Sequence, residues 1–526
     1  MPDSELPERL NAAVVLLDSQ IAAGRGRNPA IYCKDRLITY EELSSSVNRL
    51  GNVLRQLGVR IEERVALLLL DSPEFAFAFL GAIKIGAVAV PLNTNLLAED
   101  YLYLLKDSRA RVAIVDPSLA SQMLQIRSRL RHLQHVLVAG EGAEGLLSLA
   151  SVMDAASPVL EAEETQKDDA AFWLYSSGTT GFPKGTIHLH HDMIVQADLY
   201  ARNVLGLRSD DVCFSVAKLF FAYGLGNGLY FPLRTGGATV LLPDRPTPER
   251  VFQTIDRYQP TVFFSVPTSY AALLHYAEKL GRTDLGRVRM CISAGEPLPR
   301  VIYEKWLARF GREILDGIGS TEILHIFISN RPGKSKPGST GQLVPGYEAR
   351  IVDDDGRELP PGQVGTLLIK GDSIAAGYWN KHEQTKRTFR GEWINTHDKF
   401  MVDADGYFWY AGRTDDMMKV SGQAVWPSDV ESVLQAHPAV LESGVVGFTD
   451  NDGLTKPRAF VVLKEGFQPS TELARELQDF VKRTTAPHKY PRSVVFVDSL
   501  PKTSTGKIQR FLLREWRPTN GQGFAV

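Results

Sequence analysis

The segment from Tyr175 to Gly185, which reads YSSGTTGFPKG, combines the residue types that bind phosphate. Its glycines let backbone N–H groups turn toward an anion, and its serine and threonine hydroxyls supply further donors. Lys184 adds a positive charge. A segment of this composition cannot form a hydrophobic core. It predicts a loop that binds a polyphosphate, and the alternative is a solvated loop without a ligand.

The same segment differs from the Walker P-loop, GxxxxGK[ST]. When Gly178 and Lys184 are aligned with that motif, Pro183 replaces the second glycine and Gly185 replaces the magnesium-binding hydroxyl. The residues that follow Lys184 are typical of a strand rather than of a helix start. Because no helix N-terminus would then face the phosphates, a P-loop kinase or NTPase is not expected.

Two further motifs, SAGEPLP (Ser293–Pro299) and DGIGSTE (Asp316–Glu322), each follow a short apolar strand. The carboxyl ends of strands are where α/β proteins bind ligands. Glu322 beside a polyphosphate would be repelled unless a cation lay between them. We therefore interpret it as a Mg²⁺ ligand, with an acid at a helix N-terminus as the alternative. If a helix begins there, His325 shares the face of Glu322; otherwise it is a structural histidine.

Two more segments could contribute to a site. The aromatic and glycine residues of AKLFFAYGLGN (Ala217–Asn227) favour core packing by spacing alone. The alternative is the wall of an apolar pocket in which Tyr223 supplies a polar group. Near the end of the chain, PKTSTGKIQR (Pro501–Arg510) is a second loop of glycine and hydroxyl residues, with Lys507 at its tip.

The elements that must position these residues follow a strand–helix–strand order. The runs Arg64–Leu70, Pro73–Ile85 and Ala87–Val90 predict a βαβ unit in a buried parallel sheet. Further strands are predicted at Arg111–Val115, His135–Ala139, Thr261–Val266 and Ala171–Tyr175. A β-rich region spans 348–409. After it, a compact α+β domain contains a helix that begins near Pro427, with a capping box between Ser428 and Glu431.

Length and composition limit the possible functions. A chain of 526 residues is expected to form two or three domains. Its net charge of −2, with no long basic run, argues against nucleic acid as a partner. The acidic N-terminus lacks an apolar signal region, and Phe75–Val90 is too short to cross a membrane. Three separated cysteines predict free, buried thiols and a cytoplasmic location.

Taken in order, YSSGTTGFPKG, SAGEPLP, DGIGSTE, the region of Asp398, GRTDD and PKTSTGK resemble the adenylate-forming superfamily. That superfamily comprises acyl-CoA synthetases, carrier-protein adenylation domains and luciferases. AKLFFAYGLGN, DGIGSTEILHIFISN and LPKTSTGKIQR look most like benzoate-CoA ligases and relatives that act on hydroxybenzoate or aminobenzoate (anthranilate). The resemblance implies that a carboxylate attacks the α-phosphorus of MgATP to give an acyl-adenylate, and that the CoA thiol then displaces AMP.

The resemblance also implies the architecture. An α/β fold is expected, with a large N-terminal domain (1–412) of layered mixed sheets, helices and a β-rich subdomain. A hinge (413–415) about Asp415 is expected to lead to a small mobile α+β domain (416–526) that carries Lys507. Rotation about the hinge would serve the two half-reactions in turn, because Lys507 and the thiol cannot approach the adenylate from the same side.

Site residues are implied position by position. Lys507, Thr180 and Glu322 would be catalytic, with Mg²⁺ held near Thr180 and Glu322. The aryl acid would contact Ala222, Tyr223, Gly319, His325 and Ile326, and CoA would pass Ser421 and Gly422. ATP and AMP would contact Ser176, Ser177, Gly178, Thr179, Thr180, Gly181, Lys184, Gly295, Glu296, Pro297, Asp316, Gly317, Ile318, Gly319, Thr321, Asp398 and Arg413.

Two residues depart from the superfamily pattern. Ile318 stands where an aromatic residue usually stacks on adenine, so aliphatic contact replaces stacking. His397 stands where a glycine usually precedes the ribose-binding Asp398, so a side chain is added beside the ribose.

Several alternatives remain open at this point. The acceptor could be a carrier-protein phosphopantetheine instead of CoA, because the two share the pantetheine arm. A non-catalytic nucleotide-binding protein is a second alternative, which the presence of both Lys184 and Lys507 disfavours. The preferred ring substituent and the oligomeric state, a homodimer among the options, are not determined by the sequence.

Overall fold

A computed structural model describes residues 6–140, 146–176, 183–413, 416–420, 423–450, 454–485, 487–502, 508–516 and 524–525. Within these residues the first large sheet has eight strands, and six of them pair in parallel. The predicted βαβ unit is present, with a helix between two adjacent strands. In spatial order the strands are Gly377–Tyr378, Lys184–Leu189, Ala170–Ser176, Val88–Pro91, Arg64–Leu68, Val112–Val115, His135–Val138 and Leu147–Ser148.

A second large sheet has nine strands in the same described part of the chain. Its central strands are parallel and short, and they are apolar on both faces because helices cover both sides. In spatial order the strands are Gln342–Leu343, Ile326–Ser329, Ile314–Gly319, Met290–Ser293, Val262–Ser265, Val212–Ser215, Ala238–Val240, Pro29–Cys33 and Arg36–Thr39.

Helices cover these two sheets and bury aromatic side chains such as Phe75, Phe79 and Trp306. The capping box between Thr39 and Glu42 begins the helix at Tyr40, so the backbone N–H groups of its first turn are satisfied. The principal helices are Tyr40–Gln56, Pro73–Lys84, Ala98–Ser108, Ala120–Ile126, Leu149–Asp154, His190–Gln196, Pro248–Tyr258, Pro267–Leu280 and Arg300–Phe310. Short helices lie at Ser19–Ala22, Ala222–Leu225, Phe231–Thr235 and His382–Thr388. No described helix is both long and apolar enough to cross a bilayer.

The predicted β-rich region is an antiparallel sheet that follows the second large sheet in the chain. Its strands are Glu348–Val352, Gly365–Lys370, Phe389–Arg390, Trp393–Val402 and Phe408–Arg413. The last two strands pair so that Asp398 lies opposite Arg413. This sheet therefore brings the Asp398 region and the GRTDD motif together.

Residues after 416 form a smaller unit with its own hydrophobic core, which includes Val430, Val445, Val461 and Leu477. Strands and helices are mixed in it, as the prediction of an α+β domain requires. The strands are Met418–Val420, Gln423–Val425, Val440–Thr449, Thr455–Leu463, Ser493–Phe496 and Phe524–Ala525, and the helices are Pro427–Ala436, Thr471–Thr484 and Arg510–Glu515.

The predicted capping box between Ser428 and Glu431 is wrong, although the helix begins at Pro427 as expected. Ser428 Oγ donates instead to the carbonyl oxygen of Ala411, 3.3 Å away. The Glu431 carboxylate accepts two hydrogen bonds from Arg510, at 2.7 and 2.9 Å, and one from the backbone of Val445. A half-buried arginine competes successfully for the carboxylate that would have capped the helix.

Candidate active site

The predicted polyphosphate loop is flanked by two neighbouring antiparallel strands. Ser176, the last residue of one strand, lies opposite Lys184, the first residue of the other. The strand that begins at Lys184 confirms the expectation that no helix follows the loop, which excludes a Walker P-loop. Ser176 Oγ is buried and has no hydrogen-bond partner in the described part of the chain. Because Ser176 and Lys184 are register partners, a phosphate oxygen bound at this end of the strands could accept from both.

Lys184, Tyr378 and Glu322 form a cluster beside the base of the loop. Lys184 Nζ lies 4.1 Å from the centroid of the Tyr378 ring, in cation–π contact. The Tyr378 hydroxyl donates to Glu322 Oε1 at 2.7 Å. Burial lowers the pKa of Lys184, and the nearby negative charge of Glu322 opposes that shift. The cluster thus places a cation and a carboxylate near one another at the predicted phosphate site.

Sequence reasoning missed Tyr378, because an isolated tyrosine in AAGYWN carries no chemical signal of its own. Its position comes from pairing of Gly377–Tyr378 with the strand Lys184–Leu189, which is distant in the sequence.

The donor set around Glu322 fits Mg²⁺. No group of three or more His, Cys, Asp or Glu side chains that could hold a metal occurs among the described residues. Mg²⁺ characteristically binds one or two protein carboxylates together with substrate phosphates rather than a complete protein cage. Glu322 meets that requirement, since it offers a carboxylate next to the loop that is predicted to hold the phosphates.

The two motifs at the second sheet lie side by side. Ser293 is the register partner of Asp316 on the adjacent parallel strand. Gly295 adopts a φ of +95°, a conformation that favours glycine, so the chain turns sharply past Glu296 and Pro297. Burial raises the pKa of Asp316 well above its usual range. The predicted nucleotide residues of both motifs thus meet at one edge of the sheet.

The DGIGSTE motif differs from its prediction in two ways. Asp316 to Gly319 belong to the strand Ile314–Gly319 and do not follow it. A 3₁₀ turn at Thr321–Ile323 and then a strand from Ile326 replace the helix that was considered after Glu322. His325 therefore does not share a helix face with Glu322; its side chain points into the protein, where it is 2% exposed.

The predicted aryl-pocket residues come together around His325. Its ring centroid lies 5.3 Å from that of Tyr223, whose hydroxyl donates to the carbonyl oxygens of Ser265 and Ile292 at 3.2 and 3.3 Å. Gly319 approaches His325 so closely that a Cβ there would lie 2.5 Å from the histidine carbonyl oxygen. Ala222 and Ile326, the chain neighbours of Tyr223 and His325, are 8% and 0% exposed. Tyr223 and Gly319 therefore both contact His325.

The tautomer of His325 follows from its contacts. Nε2 lies 3.2 Å from the carbonyl oxygen of Tyr223, which can only accept, and 3.1 Å from Asn227 Oδ1. Nε2 therefore carries the proton. Burial lowers the pKa of His325 to about 3, so the ring is neutral and Nδ1 is an acceptor. Nδ1 is buried and has no hydrogen-bond partner among the described residues.

Asp398 and Arg413 are brought together as predicted. Arg413 Nη1 lies 3.4 Å from Asp398 Oδ1 across the paired strands. Arg413 also lies close enough to Lys184 for its charge to lower the pKa of that lysine, after the larger effect of burial. The pair therefore borders the phosphate site.

His397 adopts a φ of +60°, which explains why a glycine is expected before the aspartate. Replacing it with glycine removes strain but adds freedom to the unfolded chain, and these effects are of similar size. We expect His397→Gly to change the free energy of unfolding by no more than about 1 kcal/mol. His397→Val should destabilise the protein by about 1 to 3 kcal/mol, because a β-branched residue tolerates this conformation poorly. Calorimetric unfolding of the two variants in parallel would test this, and equal destabilisation would contradict it.

Nine predicted site residues lie outside the described ranges, and their roles stay predictions. They belong to the phosphate loop, the hinge, the CoA path and the C-terminal loop: Ser177, Gly178, Thr179, Thr180, Gly181, Asp415, Ser421, Gly422 and Lys507.

Comparison with known proteins identifies the family of this chain. The AMP-binding enzyme family matches residues 19–379, and the AMP-binding enzyme C-terminal domain matches residues 429–507. A large α/β part of mixed sheets followed by a small C-terminal unit is the architecture of adenylate-forming enzymes, and this chain belongs to the AMP-binding enzyme family.

Particular relatives place it more narrowly. The benzoate–CoA ligase of Thauera aromatica is 51% identical over 516 residues, which cover 98% of this chain and 97% of the relative. The anthranilate CoA ligase AuaEII, solved with anthranoyl-AMP, has a TM-score of 0.94 and 45% identity over 98% of both chains. A benzoate CoA ligase from Burkholderia xenovorans LB400 has a TM-score of 0.88 and 47% identity, with 96% of this chain and all of that chain covered.

Proposed function

We propose that this chain is an ATP-dependent aryl-CoA ligase. It converts benzoate, or an amino- or hydroxybenzoate, to the CoA thioester through an aryl-adenylate, and it releases AMP and pyrophosphate. The observation that carries the proposal is the cluster of Lys184, Tyr378 and Glu322 where the predicted phosphate loop rejoins the sheet, together with the contact between Tyr223 and His325. A nucleotide and an aromatic acid would meet at this point.

The first half-reaction needs positive charge, because a carboxylate and a polyphosphate repel one another. Among the described residues, Lys184 and Arg413 supply two fixed cations. Lys507, from the C-terminal loop, would supply a third at the oxygens of the carboxylate and the α-phosphate. Mg²⁺ held by Glu322 and the predicted Thr180 would neutralise further phosphate charge. Asp398 would bind the ribose, and the motifs at Gly295 and Asp316 would bind adenine.

The second half-reaction needs access for the CoA thiol. We infer that residues 1–412 and 416–526 are separate domains and that the hinge lies at 413–415 about Asp415. The separate hydrophobic core of the smaller unit supports this division. Rotation about the hinge would replace Lys507 with Ser421 and Gly422 beside the adenylate and would open a path for the pantetheine arm.

The unpaired acceptor on His325 bears on substrate choice. An amino or hydroxyl substituent that reached Nδ1 would donate to a buried atom that otherwise has no partner. Such a hydrogen bond contributes about 0.5 to 1.5 kcal/mol. We therefore expect kcat/KM for the best amino- or hydroxybenzoate to exceed that for benzoate by about two- to tenfold.

Pyrophosphate release with a panel of acids tests both the ligase proposal and the preference for an amino or hydroxyl substituent. The panel contains benzoate, the three aminobenzoates, the three hydroxybenzoates and acetate as an aliphatic control, each with ATP, Mg²⁺ and CoA. Release that does not depend on any aromatic acid would end the ligase proposal. Release that is fastest with benzoate would leave the ligase in place but would contradict the role given to Nδ1.

We also infer a cytoplasmic location. Cys33, Cys213 and Cys291 are all free and buried, as predicted. A reducing compartment maintains thiols in this form, and the substrates, ATP and CoA, are cytoplasmic metabolites.

A further inference from the structure

A histidine and an aspartate that the reaction does not use lie buried behind the turn that carries Glu322. His188 and Asp192 are both fully buried. His188 Nδ1 lies 2.8 Å from Asp192 Oδ2, and Nε2 of the same ring lies 2.8 Å from the carbonyl oxygen of Thr321. The ring also stacks on Phe172, with centroids 5.0 Å apart and planes at 16°. The imidazole therefore has one fixed position, between a carboxylate and the residue before Glu322.

Both ring nitrogens of His188 face acceptors. The Thr321 carbonyl oxygen can only accept a hydrogen bond. Asp192 Oδ2 also accepts the backbone N–H of Leu189 at 3.1 Å. Nε2 of His188 therefore donates to Thr321, and the hydrogen bond between Nδ1 and Asp192 orients the ring.

The turn itself depends on bonds from distant segments. The carbonyl oxygen of Thr321 contacts His188 Nε2. The carbonyl oxygen of Glu322 accepts from the backbone N–H of Ala375 at 2.8 Å, and the carbonyl oxygen of Ile323 accepts from Ser373 Oγ at 2.9 Å. Leu324 is held at a φ of +74°, a conformation that costs of order 1 to 3 kcal/mol and persists only where its surroundings enforce it. The orientation of Glu322 is thus imposed from outside the turn.

We propose that His188, oriented by Asp192, is a positioning residue that holds the Thr321–Glu322 turn so that the Glu322 carboxylate faces the metal–phosphate site. The inference rests on the proposed function, because the metal role of Glu322 belongs to it. Groups that orient a metal ligand typically contribute 10- to 100-fold to metal affinity or activity.

The experiment compares His188→Ala, His188→Gln and Asp192→Asn with His190→Gln as a matched control. His190 is also fully buried, but its Nδ1 accepts from the backbone of Ala12 and does not contact the turn. Aryl-dependent exchange of pyrophosphate into ATP is measured as Mg²⁺ is titrated. In His188→Ala we expect the Mg²⁺ concentration at half-maximal rate to rise about tenfold or more. His188→Gln keeps one donor, so its Mg²⁺ concentration at half-maximal rate should rise less. For Asp192→Asn this concentration should lie between the values of the wild type and His188→Ala.

Thioester formation from preformed aryl-AMP and CoA needs no metal–phosphate site, so it should change little in the same variants. Equal loss of both half-reactions, or an equal shift of the Mg²⁺ requirement in His190→Gln, would overturn the proposal and indicate general destabilisation.

Calorimetric binding of MgATP without any acid separates this inference from the ligase proposal. Weaker binding in His188→Ala than in His190→Gln supports the positioning role even if no aromatic acid is a substrate. Unchanged binding together with an unchanged Mg²⁺ requirement would refute that role even if the wild-type enzyme is an active ligase.

Discussion

Replacing Lys507 with alanine should lower the rate of aryl-adenylate formation by about 10² to 10³. In the first half-reaction two anions approach one another, and a fixed cation at the α-phosphate and carboxylate oxygens stabilises the charge that gathers between them. Lys184 and Arg413 remain in the variant, but both are held in strands, Lys184 opposite Ser176 and Arg413 opposite Asp398. They therefore cannot substitute for a group carried by the C-terminal loop.

The same variant should retain most of its thioester synthesis from preformed aryl-AMP, because the attack of the thiol does not need the lysine. Pyrophosphate exchange and CoA thioester formation are measured separately on the purified variant. Lys502→Ala is a suitable control, because Lys502 belongs to the same segment but pairs with Glu442 at 2.7 Å within the small unit. If Lys507→Ala lost both half-reactions equally, the division of labour between the two domain orientations would be wrong.

The parallel sheets could be predicted because each strand carries its own signal. Val112–Val115 and Val262–Ser265 are short and buried on both faces, so a continuous apolar run bounded by polar residues marks them. The strand Lys184–Leu189 could also be predicted, because the residues after Lys184 are typical of a strand and not of the helix that follows a P-loop. Local composition determines these elements, and the sequence alone is sufficient to find them.

The turn at Thr321 and the capping of the helix that begins at Pro427 could not be predicted in the same way. Their geometry depends on partners far away in the sequence, such as His188 for the Thr321 carbonyl and Arg510 for the Glu431 carboxylate. A local motif indicates a helix or a capping box in both places, and a tertiary hydrogen bond overrides it. Competition between local and distant partners is not visible in the order of residues.

The site residues divide in the same way, into those that the sequence identifies and those that only the structure identifies. Lys184 and Glu322 stand in motifs whose residue types already imply phosphate and metal chemistry, and the family resemblance implies ribose binding for Asp398. Tyr378 stands in none, although its ring contacts Lys184 and its hydroxyl binds Glu322. Only strand pairing brings it to the site. His397 is an intermediate case: the departure from glycine is visible in the sequence, but its positive φ is visible only in the structure.

Replacing Glu322 with glutamine should lower adenylate formation by about 10² at a Mg²⁺ concentration that saturates the wild type. Glutamine keeps the size of the side chain and can still accept from the Tyr378 hydroxyl, so the turn is expected to keep its shape. The variant loses the negative charge, which is predicted to bind the metal. It also loses the interaction that raises the pKa of Lys184 against the effect of burial, so the pKa of that lysine should fall further. Excess Mg²⁺ should restore part of the rate.

Tyr378→Phe is the control that separates charge from packing. It removes the 2.7 Å hydrogen bond to Glu322 but keeps the aromatic face that contacts Lys184 at 4.1 Å. A neutral hydroxyl contributes about 1 kcal/mol through such a bond, so we expect a loss of no more than about tenfold and little change in the Mg²⁺ requirement. If Tyr378→Phe were as damaging as Glu322→Gln, or if Mg²⁺ rescued neither, the carboxylate would serve to hold the turn rather than the metal. The metal would then have to be bound by the nucleotide and the phosphate loop alone.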